Sequence, residues 1–108
     1  MIFFIKPLSV NKAWQGKRFK TSEYKQFEKD FSMLIKAQKM KKHLGCVRID
    51  IGFSFKNSLS DIDNCLKPIF DVLVKNEIIK DDRFIVRLNV SKSISKNDFF
   101  YIEIYDTK

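Results

Sequence analysis

Two carboxylates and a lysine open the most chemically loaded stretch of the chain, Asp61-Ile-Asp63-Asn64-Cys65-Leu66-Lys67-Pro68. A second acidic pair, Asp81-Asp82, follows downstream. Asp61 and Asp63 straddle a strand-to-helix turn, so both can converge on one point. Lys67, one helical turn after Asp63, can reach the same place. Oxygen-rich carboxylate clusters suit Mg²⁺ or Mn²⁺, ions that bridge a protein to phosphate oxygens. In a chain of net charge +8, acids concentrated this way imply a divalent ion to neutralise them. The combination points to metal-dependent chemistry on nucleic acid. The competing structural roles are specific: Asp63 as a helix N-cap, Lys67 paired with Asp63 or with Asp71 at i+4, and Asp81-Asp82 as a plain turn.

The elements that must position these residues are legible from periodicity. Residues 1–5 read as a first strand stopped by Pro7, and residues 7–21 as a long connection. From Ser22 to about His43, apolar residues recur at Tyr24, Phe27, Phe31, Leu34 and Ile35. This predicts a helix with Thr21 or Ser22 as N-cap and Gly45 as its stop. His43 then falls in its last turn, as a cation-capable residue.

Val47, Ile49, Ile51, Phe53 and Phe55 alternate with Arg48, Asp50, Gly52 and Ser54, the pattern of a strand. The acidic motif and a second helix to about Asn76 follow. Leu66, Ile69, Phe70 and Leu73 define its expected buried face, Asp63 and Lys67 flank that face, and Asp71 points close to solvent. Pro68 restricts the helix start to the vicinity of Asp63 or Asn64. A third strand near residues 84–92, a polar turn at 93–98 and a last strand at 99–105 complete the chain. The last two strands are expected to pair as an antiparallel hairpin. The fold class is α+β: a single domain over residues 1–108, in the order β-α-β-α-β-β, with two helices packed on a mixed sheet.

With 44% hydrophobic residues and eleven Phe, the chain can bury a core. Charge is uneven: residues 1–43 hold eleven Lys/Arg against three Asp/Glu, whereas residues 44–108 hold ten of each. Such a division suits one region gripping phosphates while another binds metal, although lysines on a solvated helix face would give the same count. Lys12, Lys17, Arg18 and Lys20, interleaved with Trp14 and Phe19, could neutralise phosphates and stack on unpaired bases. Trp14 and Phe19 could equally anchor the loop to the core. Ser9 and Asn11 could bind phosphate or shape a turn.

Cys46 and Cys65 form no CxxC unit, so a disulfide is not expected, and a soft Cys65 thiolate does not suit Mg²⁺. A single histidine leaves little for a His-based zinc site or a Ser-His-Asp triad. No segment approaches the length of a membrane span, and residues 1–7 are too short for a signal peptide.

The stretch Asp61–Leu73 resembles the signature of RusA-type Holliday junction resolvases, small homodimeric endodeoxyribonucleases of bacteria and their phages. The similarity continues at Ile79-Lys80-Asp81-Asp82, and Pro7-Leu-Ser9-Val-Asn11 resembles the family's Pro-Pro-Ser-x-Asn stretch before a basic loop. The resemblance implies a RusA-like fold over nearly the full length, with Asp61, Asp63 and Asp82 as metal-binding carboxylates and Lys67 as a catalytic lysine. A one-residue shift would exchange Asp82 for Asp81. Asp71 also matches the pattern, and its outward projection favours a structural or interface role.

The implied activity is resolution of four-way DNA junctions by paired phosphodiester cuts, in recombination and repair, by a cytoplasmic homodimer. Mg²⁺, or Mn²⁺ in its place, would polarise the scissile phosphate and lower the pKa of an attacking water. Lys67 would stabilise charge on the phosphoryl oxygens or orient that water. The approach to the motif, Phe55-Lys56-Asn57-Ser58-Leu59-Ser60, holds one basic residue where some relatives are Arg-rich. The alternatives are a nuclease of other branched DNA and a non-catalytic DNA-binding module of the same fold.

Overall fold

The alternation at residues 47–55 produces the central strand of the fold. In the computed structural model, which describes residues 1–9, 14–15, 19–56 and 62–107, the strands are β1 (Ile2–Phe3), β2 (Trp14–Gln15), β3 (Phe19–Lys20), β4 (Val47–Phe55), β5 (Ile85–Ile94) and β6 (Phe99–Asp106). The helices are α1 (Ser22–Ala37) and α2 (Leu66–Lys75), with short 3₁₀ turns at Asp63–Cys65 and Asp82–Phe84. The main sheet has the order β1-β6-β4-β5, and β2 pairs with β3 as a separate small hairpin. The domain is thus α+β, with two helices and a mixed four-stranded sheet. The stretch read as an open connection holds a hairpin, with Trp14 opposite Lys20 and Gln15 opposite Phe19.

One expectation about strand pairing is overturned. β5 and β6 do not form a hairpin; β4 lies between them, parallel to β5 and antiparallel to β6. The helical crossover through α2 sets β5 parallel to β4, as a β-α-β connection requires. The link between β5 and β6 then crosses the end of β4, a step of about 10 Å that four residues span easily. That crossing is bonded in place. The Ser95 amide donates to the Phe55 carbonyl at 2.9 Å, and the Lys56 amide donates to Asp98 Oδ1 at 2.9 Å.

β4 is fully buried from Ile51 to Phe55 because it has strands on both edges and helices over one face. On the other face Gly52 lies under the Tyr101 ring, where a Cβ would stand 2.0 Å from Cε1. Glycine is needed here for the ring's close approach. The core between sheet and helices is aromatic. Phe100 of β6 packs against Phe3, Phe27, Phe31 and Phe53, with ring centroids between 5.2 and 6.3 Å.

Thr21 caps α1, its Oγ1 accepting from the Tyr24 amide at 3.1 Å. The helix ends at Ala37, well before the expected stop at Gly45. Lys39 adopts a left-handed φ of 54°, and the Met40 amide donates back to the Ile35 carbonyl at 3.3 Å, a Schellman closure. His43 is therefore outside the helix. It is buried, its amide donates to the Ile78 carbonyl at 2.8 Å, and its Nδ1 lies 2.6 Å from Asp106 Oδ1.

α2 closes in the same way, with Glu77 at φ 60° and the Ile78 amide on the Leu73 carbonyl at 2.9 Å. A non-glycine residue in this region carries a steric cost of about 1–2 kcal/mol. Glu77→Gly is expected to raise Tm by several degrees, since about 1 kcal/mol shifts a domain of this size that far. A thermal unfolding scan against the parent chain checks it.

The face α2 buries also differs from the projection: Pro68, Ile69, Val72 and Leu73 are buried, while Leu66 and Phe70 are only partly so. The cause is α1, which runs beside α2 in the same direction and is joined to it by a polar seam. Tyr24 meets Asp71, Glu28 meets Lys75, and Ser32 meets Asn76.

Candidate active site

The 3₁₀ turn at Asp63–Cys65 delivers the chain into α2 and sets Lys67 in the first turn of that helix. Asp63 is exposed at the turn's first position, and neither this turn nor α2 has a side-chain cap bond at its start. The capping role open to Asp63 on sequence grounds is thus not the one it plays. Cys65 is buried and is not in a disulfide.

Lys67 is the hub of the acidic cluster. Its Nζ lies 2.9 Å from Asp82 Oδ2 and 3.1 Å from Asp71 Oδ1. Asp71 does not point out alone into solvent. Its Oδ2 accepts from the Tyr24 hydroxyl at 3.3 Å, and Tyr24 is almost wholly buried. Asp81, by contrast, caps its own 3₁₀ turn, its Oδ1 accepting from the Arg83 amide at 3.1 Å. Geometry therefore separates the neighbours: Asp82 faces Lys67, and Asp81 serves the local turn.

Beside this cluster, Glu28 accepts from Lys20 at 3.1 Å and from Lys75 at 2.5 Å. The Lys20 ammonium also lies 4.8 Å from the centre of the Tyr24 ring. Of the residues expected to touch DNA, Lys20 is thus already engaged with α1. Ser9 is half-buried, and Trp14 belongs to β2. Asn11, Lys12, Lys17 and Arg18 lie outside the described residues, as does Asp61. Sequence reasoning missed Tyr24 and Glu28 as neighbours of the site. Their signal was present in the spacing of Tyr24, Glu28 and Ser32, a polar i, i+4, i+8 line along one side of the helix.

The electrostatics follow the contacts. The hydrogen bond from Lys67, with a smaller contribution from Asp81, holds the Asp82 carboxyl below its ordinary 3.8. The bonds to Asp82 and Asp71 raise Lys67 above its ordinary 10.5. Burial works against the ionisation of Glu28, but its bonds to Lys75 and Lys20 outweigh that and lower it from 4.5. Burial first, then the charges of Asp71 and Glu28, raise the Tyr24 phenol above 10.0.

Lowered carboxylates stabilise the fold fully above their ordinary values, and that contribution is lost as pH falls through the depressed ones. Raised groups stabilise it fully below their ordinary values and lose that contribution as pH rises. Tm is therefore expected to fall below about pH 4 and again above about pH 10. Tyr24→Phe should flatten the alkaline limb and leave the acid limb in place. Melting curves across the pH range decide it; an unchanged alkaline limb would refute the role given to Tyr24.

Among the described residues, no three His, Cys, Asp or Glu side chains converge as a ready metal cage. The donor chemistry nonetheless fits a hard divalent cation. Asp63 is exposed and uncommitted to a cap, and Asp82 already binds a cation, the Lys67 ammonium.

The 3₁₀ turn that bears Asp63 leads directly into the helix that carries Lys67, and the second acidic turn folds against that lysine through Asp82, an arrangement suited to phosphate chemistry. Residues 7–105 match the family described as endodeoxyribonuclease RusA. This chain belongs to that family, and membership implies an endonuclease that resolves Holliday junctions. No curated protein matches the chain. Among the described residues, no helix is long and apolar enough to cross a membrane.

Proposed function

We propose that this protein is a divalent-metal-dependent resolvase that cuts four-way DNA junctions by paired phosphodiester hydrolysis, in recombination and repair. The observation that carries the reading is the meeting of Lys67 with Asp82, residues fifteen positions apart that the fold brings within 2.9 Å. Asp61, Asp63 and Asp82 would hold Mg²⁺, or Mn²⁺ in its place. The bound ion would supply Lewis-acid polarisation of the phosphate and a more acidic water. Lys67 stabilises charge on the phosphoryl oxygens. Ser9, Asn11, Lys12, Trp14, Lys17, Arg18 and Lys20, at and around the β2–β3 hairpin, grip the junction arms by charge and stacking.

Paired cuts in opposing strands call for a homodimer. Ile2, Phe4, Tyr101 and Tyr105 are exposed on the sheet face away from the helices, apolar surface of the kind self-association covers. The setting is the bacterial cytoplasm, with a cellular or phage gene.

The test is a labelled synthetic four-way junction beside the equivalent linear duplex, each with Mg²⁺, Mn²⁺ or EDTA. Symmetrical nicks in the junction alone, requiring the ion, are expected. Equal cutting of flaps or forks would move the reading to a general branched-DNA nuclease. Binding without cutting under every ion would leave a DNA-binding module.

A further inference from the structure

One ammonium sits between two carboxylates, and the two are not equivalent. Asp71 is on the same helix as Lys67, one turn along, so its distance is fixed by the helix itself. Its second oxygen is held by the hydroxyl of Tyr24, a side chain only 1% exposed at the base of α1. Thr21 in turn ties the Tyr24 amide in place. Asp82 sits on a separate 3₁₀ turn and is more open, at 42% side-chain exposure against 29% for Asp71. A divalent ion competing for these carboxylates would meet the least resistance at Asp82.

We propose that Asp71, braced by Tyr24, is the positioning residue for Lys67: it keeps the ammonium at the site when Asp82 turns to a divalent cation. This rests on the reading that Asp82 helps to hold the metal. With Asp71 in place, Lys67 has a resident counter-ion, so releasing Asp82 does not push a bare ammonium against an incoming cation. Without Asp71, Asp82 is the one carboxylate left to Lys67 among those it contacts. Metal and lysine then compete directly for the same oxygens.

The prediction is an interaction between residues, read by Mn²⁺ binding to the intact protein, by calorimetry or by the electron paramagnetic resonance of free Mn²⁺. Asp71→Asn should weaken Mn²⁺ binding about 10-fold, the scale on which groups supporting metal ligands act. Tyr24→Phe should act in the same direction by about 2- to 3-fold, the effect of one lost hydrogen bond. Lys67→Met should strengthen binding, and in that background Asp71→Asn should change it by no more than about 2-fold. Circular dichroism and Tm of each variant establish that it is folded.

Equal weakening by Asp71→Asn with and without Lys67 would mean that Asp71 acts as a simple through-space charge, and would overturn the proposal. Mn²⁺ binding that ignores both Asp63→Asn and Asp82→Asn, or no binding at all, would overturn the metal reading itself together with this proposal. The two failures are therefore distinguishable.

Discussion

Asp63→Asn is expected to lower junction cutting by a factor on the order of 10³ while leaving junction affinity within about 2-fold, on the scale known for removing one preorganised electrostatic group. The substitution keeps the shape of the side chain and removes its charge. Asp63 is exposed at the first position of a 3₁₀ turn that has no side-chain cap bond, so the fold does not depend on its carboxylate for a cap. Asparagine is also well tolerated at turn and helix starts. Affinity for DNA, by contrast, should come mainly from the basic N-terminal part of the chain. A gel-shift titration in EDTA beside a single-turnover cleavage assay separates the two. If the variant cuts at the parental rate, Asp63 holds no catalytic ion. If it loses binding and its melting transition together, the residue is structural.

The second large effect is on stability. Phe100→Ala should cost about 3–5 kcal/mol, the range for truncating a buried aromatic side chain. Phe100 is fully buried and touches rings from every layer: Phe3 on β1, Phe27 and Phe31 on α1, and Phe53 on β4. Removing it leaves a void among side chains held by different elements, which cannot all relax into it. Against a typical total of about 5–15 kcal/mol, the loss should bring the chain close to unfolding at 37 °C. Phe100→Leu keeps most of the volume and should cost distinctly less. Urea denaturation of the two variants checks the order; similar midpoints would mean that the aromatic cluster is not where the stability resides.

How much of this was readable in advance depends on how local the cause is. The strand at β4 followed from alternation of its own residues, and α1 starts at Ser22 with Thr21, one of the two cap candidates, as its N-cap. The end of α1 did not follow, because a lysine at position 39 takes the left-handed conformation in which glycine is the usual signal. Strand order was less accessible still. Nothing within residues 84–106 says that β4 will slot between β5 and β6, since that depends on the α2 crossover and on both edges of β4 needing partners. The helix start near Asp63, with Lys67 in the first turn of α2, was legible from Pro68 and the apolar spacing. The preference of Lys67 for Asp82 over Asp63, and the capture of Asp71 by Tyr24, were not, because both contacts join elements distant in sequence.

The position of β6 also bears on how the protein is made. Among the described residues, β1 has no strand partner except β6: Ile2 pairs with Tyr101 and Phe3 with Phe100. A nascent chain emerging from the ribosome can form α1, and later the β4-α2-β5 unit, but Phe3 must wait for residues 99–106 before the sheet closes over it. Until then one edge of β4 and several aromatic side chains stay open to solvent and to other chains. The chain should therefore be most vulnerable to aggregation before residues 99–106 are available, and closure of the sheet should wait for β6 rather than proceed element by element.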